Sequence, residues 1–298
     1  MMEELVSTAA AEAESQDFQV TPPASRSAIK ADEARYMQGD VEPATSSVLI
    51  SNSKYLNNPY YRDSYAQHAL RRHGRDLPPT YTIPMMVRAI AEVTDYPEAM
   101  KLIAAEKVKN PEFGGWVDAR RLTSYRAEEM GHYASGTLGA TIREFMAKGY
   151  EIEFMKKDEQ PANDFEYILK RRTALHDIEH MVTGYGPNSA GEMALAMANV
   201  TAMAHYFSPD LAQFMNAHNV WVSSASYKRI SLHYPAALPT ILEAMERGIA
   251  LGRALQKPLL MYPWEDYLDW QLDDIAAEIG FARGPGDDWH WTIEACTG

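Results

Sequence analysis

From Thr80 onward, apolar residues recur at helical rather than alternating spacing, and the pattern divides into nine helices. The first runs from Ile83 to Thr94 with Pro84 in its opening turn. Asp95 can cap the second, which has Pro97 in its first turn and reaches about Lys107. Asp118 can cap a third, through Met130, and Gly136-Thr137-Leu138-Gly139 opens or precedes a fourth that ends near Gly149. Asn163 or Asp164 caps a fifth, which runs to Thr183 and stops at Gly184. Ser189 caps a sixth through about His205, and Asp210 to His218 form a seventh. Leu238 to Gln256 form an eighth stopped by Pro258, and Pro263 to Ile279 a ninth stopped by Gly280. Alternating runs of Val, Ile and Thr are scarce, so few strands are expected and the fold class is mainly α.

The ends of the chain read differently. Residues 1–48 are rich in Ala, Glu, Ser, Thr and Pro and carry little periodicity, which predicts a flexible or irregular arm. Tyr, Asn and Arg crowd the stretch from Val48 to Pro79, which gives no clear signal. The expected layout is therefore an arm over 1–48, one all-α domain over 49–282 and a tail over 283–298. The tail carries Gly-Pro-Gly-Asp-Asp, Trp289 and Trp291.

Charge and composition narrow the function. Hydrophobic residues make up 46%, enough for a sizeable core, and the formal net charge is −13. A chain that acidic offers no basic face to nucleic acid. Basic residues come in pairs, such as Arg171-Arg172, which read as solvated helix faces or as a local seat for one anion. The single cysteine, Cys296, rules out an internal disulfide and a cysteine-rich metal site, and fits a reducing compartment. No run of 18 apolar residues occurs, and the acidic N-terminal stretch resembles neither a secretory signal nor a presequence. The expected location is cytoplasmic, with peripheral contact to the inner membrane left open.

The stretch Thr173–Gly184 holds the candidate chemistry. Successive helical residues turn by about 100°, so His176 and His180 lie about 40° apart and one turn along. Asp177 projects from the same side, about 60° from His180. Two imidazoles with a carboxylate suit Zn²⁺, Fe²⁺ or Mn²⁺ better than Ca²⁺ or Mg²⁺. Glu192, in the first turn of the next helix, can come back to complete a set of two histidines and two carboxylates. Ser189-Ala-Gly-Glu192 also fits a capping box, and pattern alone favours that role for Glu192. Two rival readings share these residues. His176-x-x-Glu179-His180 spells the H-x-x-E-H of inverted zinc peptidases, with Glu179 activating water. His176-Asp177, with an upstream histidine such as His132, spells the pair of HD-type phosphohydrolases.

His176-Asp177-x-x-His180, eleven residues and then Glu192 resembles the HD-x-x-H-x(11)-E signature of the Coq4 family of ubiquinone-biosynthesis proteins. The turn Gly186-Pro187-Asn188 and the pair Gly191-Glu192 fall within it. Gly136–Gly139 with Phe145-Met146, Phe165–Leu169 with Arg171, Trp264-Glu265 and Glu278–Phe281 are similar to flanking family segments, so the resemblance spans about 83–282. Thr173, Ala174 and Leu175 stand where the family usually has Arg-Glu-Val, which marks a divergent member. The resemblance implies an all-α fold, commonly dimeric, with zinc or another divalent metal held by His176, Asp177, His180 and Glu192. It also implies a polyprenylated aromatic or quinone lipid as substrate, a membrane surface, and other quinone-biosynthesis proteins as partners. The implied reaction removes the C1 carboxylate of a 4-hydroxy-3-methoxy-5-polyprenylbenzoate and hydroxylates that carbon. A lipid-binding scaffold with a structural metal is the alternative. Four protein ligands close a structural zinc site and a catalytic site keeps one position open, so four candidates leave the choice undecided. The nearly apolar helix from Ser189 is expected to line a groove for the prenyl tail or to form the core. Leu259–Trp264 is expected either to meet a membrane interface or to pack as a loop. Arg171 or Arg172 is a candidate partner for a substrate anion.

Overall fold

A computed structural model of the chain describes residues 52–72, 82–152 and 159–296. The expected arm over 1–48 lies outside the described residues. Twelve α-helices occur among the described residues, with no strand. They are α1 (Lys54–Asn57), α2 (Pro59–Leu70), α3 (Thr82–Val93), α4 (Tyr96–Lys109), α5 (Pro111–Ala119) and α6 (Leu138–Ala147). Then follow α7 (Asp164–Thr183), α8 (Ser189–Tyr206), α9 (Pro209–His233), α10 (Leu238–Ala254), α11 (Leu272–Ile279) and α12 (Trp291–Ala295). The mainly α expectation holds, and the helices form a single domain.

Local capping explains most boundaries. Asn58, Asp95, Asn110, Thr137, Asn163 and Asn188 each accept a backbone N–H of the first turn that follows, which satisfies a donor the helix itself cannot pair. Three expected helices are corrected. Asp118 starts nothing: Asn110 and Pro111 begin α5 earlier, and Arg120 ends it in the left-handed region at φ 48°. The expected seventh helix runs on from His218 to His233, because Trp221, Ala225 and Ile230 are buried against neighbours. Packing there outweighs the weak helix preference of Val220-Trp221-Val222-Ser223-Ser224. The expected ninth helix over 263–279 is reduced to α11, preceded by short 3₁₀ turns at Leu259–Met261 and Trp264–Asp266. Leu259, Leu260, Met261, Tyr262 and Trp264 are buried, so this stretch is a packed loop and not an exposed membrane contact.

Helix α8 is the centre of the bundle, with Met193, Ala194, Leu195, Ala198, Ala202 and Met203 buried. Its small residues let α10 approach closely. A Cβ on Gly248 would come within 2.2 Å of the Ala194 carbonyl oxygen, and one on Gly252 within 2.5 Å of that of Ala198. Helix α9 spans the molecule, packing Leu211, Ala212 and Met215 with α4, α5 and the end of α8, and Trp221 and Ala225 with α2 and α3. Arg171 on α7 ties the 259–266 loop down. Its fork grips both oxygens of Glu265 and donates to the carbonyls of Arg121 at 3.0 Å and Tyr262 at 3.1 Å. Burial opposes the charge on Glu265, yet Arg171 holds that carboxyl below its ordinary range. Arg171 is 1% exposed and fully engaged, so it is not a seat for a substrate anion.

Gly248→Val is expected to cost about 1–3 kcal/mol or more, because the new side chain meets backbone that cannot step aside. A urea unfolding curve with an unchanged midpoint would contradict the close α8–α10 packing.

Candidate metal centre

Gly184 ends α7 in the left-handed conformation, φ 71°, and its N–H returns to the His180 carbonyl. The chain then reverses through Tyr185–Asn188 into α8. Asn188, not Ser189, caps α8: its side chain accepts the Gly191 N–H at 2.9 Å. This leaves Glu192 free of the capping role that pattern alone favoured. Its carboxylate turns to the end of α7, with one oxygen 3.4 Å from His176 Nε2 and the other 3.2 Å from His180 Nε2. The two Nε2 atoms are 3.2 Å apart.

These separations match the edges of a small coordination polyhedron. Donors bound at about 2.0–2.1 Å to a tetrahedral ion lie about 3.3 Å from one another. His180 also has its tautomer set, since Nδ1 lies 2.6 Å from the Tyr185 carbonyl, a position in which it must carry the proton and donate. The Nε2 lone pair is thereby aimed at Glu192 and His176. The donor set of two imidazoles and one carboxylate therefore fits a divalent transition metal. Asp177 stays outside the group of three, whose donor atoms all lie within 4.8 Å of one another. It is near enough for its charge to act on His176.

His180 is 5% exposed, whereas the side chains of His176 and Glu192 expose 45% and 41%. Burial is nevertheless the largest influence on the ionisation of both. Burial disfavours the charge on His176, but the Glu192 carboxylate outweighs it and, with Glu179 and Asp177, lifts the imidazole to about 9. Burial also opposes the charge on Glu192, and the two imidazoles hold it well below its ordinary range. Burial raises the Asp177 carboxyl, against the pull of both histidines.

The C-terminal tail braces the turn. Gly284 and Gly286 donate to the carbonyls of Thr183 and Gly184 at 2.7 and 3.0 Å. Trp289 stacks on Tyr185 at 5.9 Å between ring centroids, and the Thr292 hydroxyl lies 3.2 Å from the capping oxygen of Asn188. The sequence placed Trp289 in the tail without showing where it docks. The rival peptidase and phosphohydrolase residues do not join the converging donors. Glu179 Oε2 accepts from Asn199 Nδ2 at 3.0 Å, and His132 is exposed beside Tyr133.

Two outcomes follow from this geometry. His176→Ala, His180→Ala and Glu192→Gln should each lose stoichiometric metal, while Asp177→Asn should retain it within about 10–100-fold in affinity. Metal analysis showing loss in Asp177→Asn and not in Glu192→Gln would reverse the assignment. In the metal-free protein, His176 with its raised value stabilises the fold fully below pH 6.5 and less as pH rises through about 9. Glu192, depressed below 4.5, stabilises above that pH and less as pH falls through its folded value. At pH 7.5 His176 is thus protonated before metal arrives, so zinc binding should release about one proton. Calorimetry in buffers of different ionisation enthalpy measures it, and zero release contradicts the His176–Glu192 pairing.

Comparisons with known proteins bear on this geometry. The family described as coenzyme Q (ubiquinone) biosynthesis protein Coq4 matches residues 85–285. No curated protein matches the chain. A crystal structure of a candidate ubiquinone biosynthesis protein from Nostoc punctiforme is similar in fold, with a TM-score of 0.53 at 20% identity. The similarity covers 74% of this chain and 95% of that one. The match to the family takes in α4–α11, the α7–α8 turn and all four residues of the HD-x-x-H-x(11)-E signature, and the chain belongs to the Coq4 family.

Proposed function

We propose that this protein acts in ubiquinone biosynthesis by removing the C1 carboxylate of a 4-hydroxy-3-methoxy-5-polyprenylbenzoate and hydroxylating that carbon. Membership of the Coq4 family supports the pathway. The observation that carries the chemistry is the number of donors: His176, His180 and Glu192 converge and Asp177 stands aside. Three protein donors are the pattern of a catalytic ion with a position left for a ligand, whereas a structural zinc is closed by four. This favours an enzyme over a scaffold pinned by metal. Zinc or another divalent transition metal suits this donor set, and when bound it would supply Lewis acidity toward a carboxylate or phenolate oxygen.

The chain's own groups prepare that position. The Tyr185 carbonyl keeps the proton of His180 on Nδ1 and away from the site. Glu192 faces both imidazoles and offsets the charge of a protonated ring or of an ion that would sit between them. The net change balances with dioxygen as the oxidant: the ring acid, O₂ and water give the phenol, CO₂ and hydrogen peroxide. The C1–carboxylate bond breaks, a C1–oxygen bond forms, and the two electrons lost by the ring acid reduce O₂ to peroxide.

No helix among the described residues is long and apolar enough to cross a membrane. Access to a polyprenyl lipid would then come from contact with a bilayer surface, and a homodimer working with other quinone-biosynthesis proteins is part of the same reading. Because the apolar face of α8 is buried in the core, the groove for the prenyl tail would lie elsewhere than on that face.

The test is turnover of 4-hydroxy-3-methoxy-5-geranylbenzoate by zinc-loaded protein in air, with CO₂ and the C1 phenol followed by mass spectrometry. The wild type should form both, and His180→Ala should lose at least about 100-fold. Loaded protein that binds the acid and forms neither product would refute the reaction.

A further inference from the structure

The seam between α7, α8 and α9 holds polar groups that the three metal donors do not use. Arg172, His176 and Glu179 fall at i, i+4 and i+7, on one stripe of α7. Arg172 is partly buried and gives Nη1 to the Met215 carbonyl of α9 at 2.8 Å. Among the described residues no carboxylate lies in ion-pair range of it, in contrast to Arg171 next door. Glu179 is 3% exposed; Asn199 of α8 satisfies Oε2, and Oε1 has no partner. On α9, Asn216 donates to the Val200 carbonyl at 3.1 Å and leaves Oδ1 unpartnered. Asn219, one turn beyond Met215, leaves a buried Nδ2 unpartnered.

Native interiors leave few such atoms, because each costs the desolvation of a polar group without its return. Here the orphans and the open donors of Arg172 come from helices that meet beside the metal donors, and they include both acceptors and donors. Apolar packing cannot satisfy such a set, and neither can a simple cation or a simple anion; only water or a ligand that both donates and accepts can. A ligand that brings an anion for a guanidinium and an O–H for a carboxylate does both. Burial, working against the charge of Glu179, pushes Arg172 down to about 10, as expected for a guanidinium without its counter-ion. His218 is held neutral, down to about 3, by burial and by the charge of Arg172, so it does not compete for the same anion.

We propose that this seam is the recognition pocket for a hydroxylated aromatic acid, with the Arg172 fork pairing the ring carboxylate and Glu179 accepting a ring hydroxyl. The pairing uses the geometry for which guanidinium and carboxylate are matched, two parallel N–H···O bonds. Asn216 and Asn219 serve the remaining oxygen substituents. The inference rests on the proposed reaction for the identity of the acid, and it places ring selection on α7 and α9 rather than on the prenyl tail.

The test compares two probes by calorimetry on the full-length zinc-loaded protein: 4-hydroxy-3-geranylbenzoate and 2-geranylphenol, which has the same hydroxyl and tail without the carboxylate. The wild type should bind the acid about tenfold or more tightly than the phenol. Arg172→Met should erase the ratio while metal content and phenol affinity persist. Should that variant fail to fold, Arg172→Lys, which keeps the charge and loses the fork, should still lower the ratio. A wild type that binds both probes alike, or neither, overturns the proposal, as does a ratio unchanged by the Arg172 variants. An Arg172-dependent ratio without CO₂ release keeps the pocket and removes the reaction; CO₂ release with an Arg172-independent ratio does the reverse.

Discussion

The site depends on a turn. Gly184 takes the left-handed conformation that ends α7, and the reversal that follows carries the Tyr185 carbonyl to Nδ1 of His180. One hydrogen bond then decides which imidazole nitrogen keeps its proton and which presents a lone pair. The same reversal sets the start of α8, so Glu192 meets both histidines from the opposite side. Residues far along the chain hold the turn in place: the backbone of Gly284 and Gly286, the indole of Trp289 and the hydroxyl of Thr292. The tail is thus part of the metal centre's support, and shortening the chain there would loosen the donors without removing one.

Helix α7 separates structural from chemical polarity by rotation alone. Arg171 and Arg172 are neighbours about 100° apart on the helix. The first is locked to Glu265 and three carbonyls and fixes the loop that packs under the bundle. The second faces α9 with most of its fork uncommitted. A buried ion pair offsets its own desolvation only when the hydrogen bonds are complete, as they are around Arg171. Arg172 and Glu179 lack that completeness, and stable interiors seldom keep such groups without a task.

Much of this was legible in the sequence because its causes are local. Asp95, Asn163 and Gly184 act within one turn of a helix end, and the sequence places those boundaries where the structure has them. The spacing of His176 and His180 placed them one turn apart without any tertiary information. What the sequence hid was decided by distant partners. Glu192 looked like the end of a capping box until Asn188 was seen to cap. Asp118 looked like a cap but reaches Lys107 instead. The length of α9 comes from packing of Trp221 and Ala225, not from helix preference. Asp177 shares the side of α7 with both histidines, and only the position of α8 leaves it outside the group that converges.

X-ray absorption at the zinc edge of the loaded protein tests the central claim most directly. A centre built by His176, His180 and Glu192 predicts nitrogen and oxygen neighbours at about 2.0–2.1 Å and outer scattering from two imidazole rings, with no sulfur. A spectrum without imidazole scattering would contradict it, because both histidine donors would then be elsewhere.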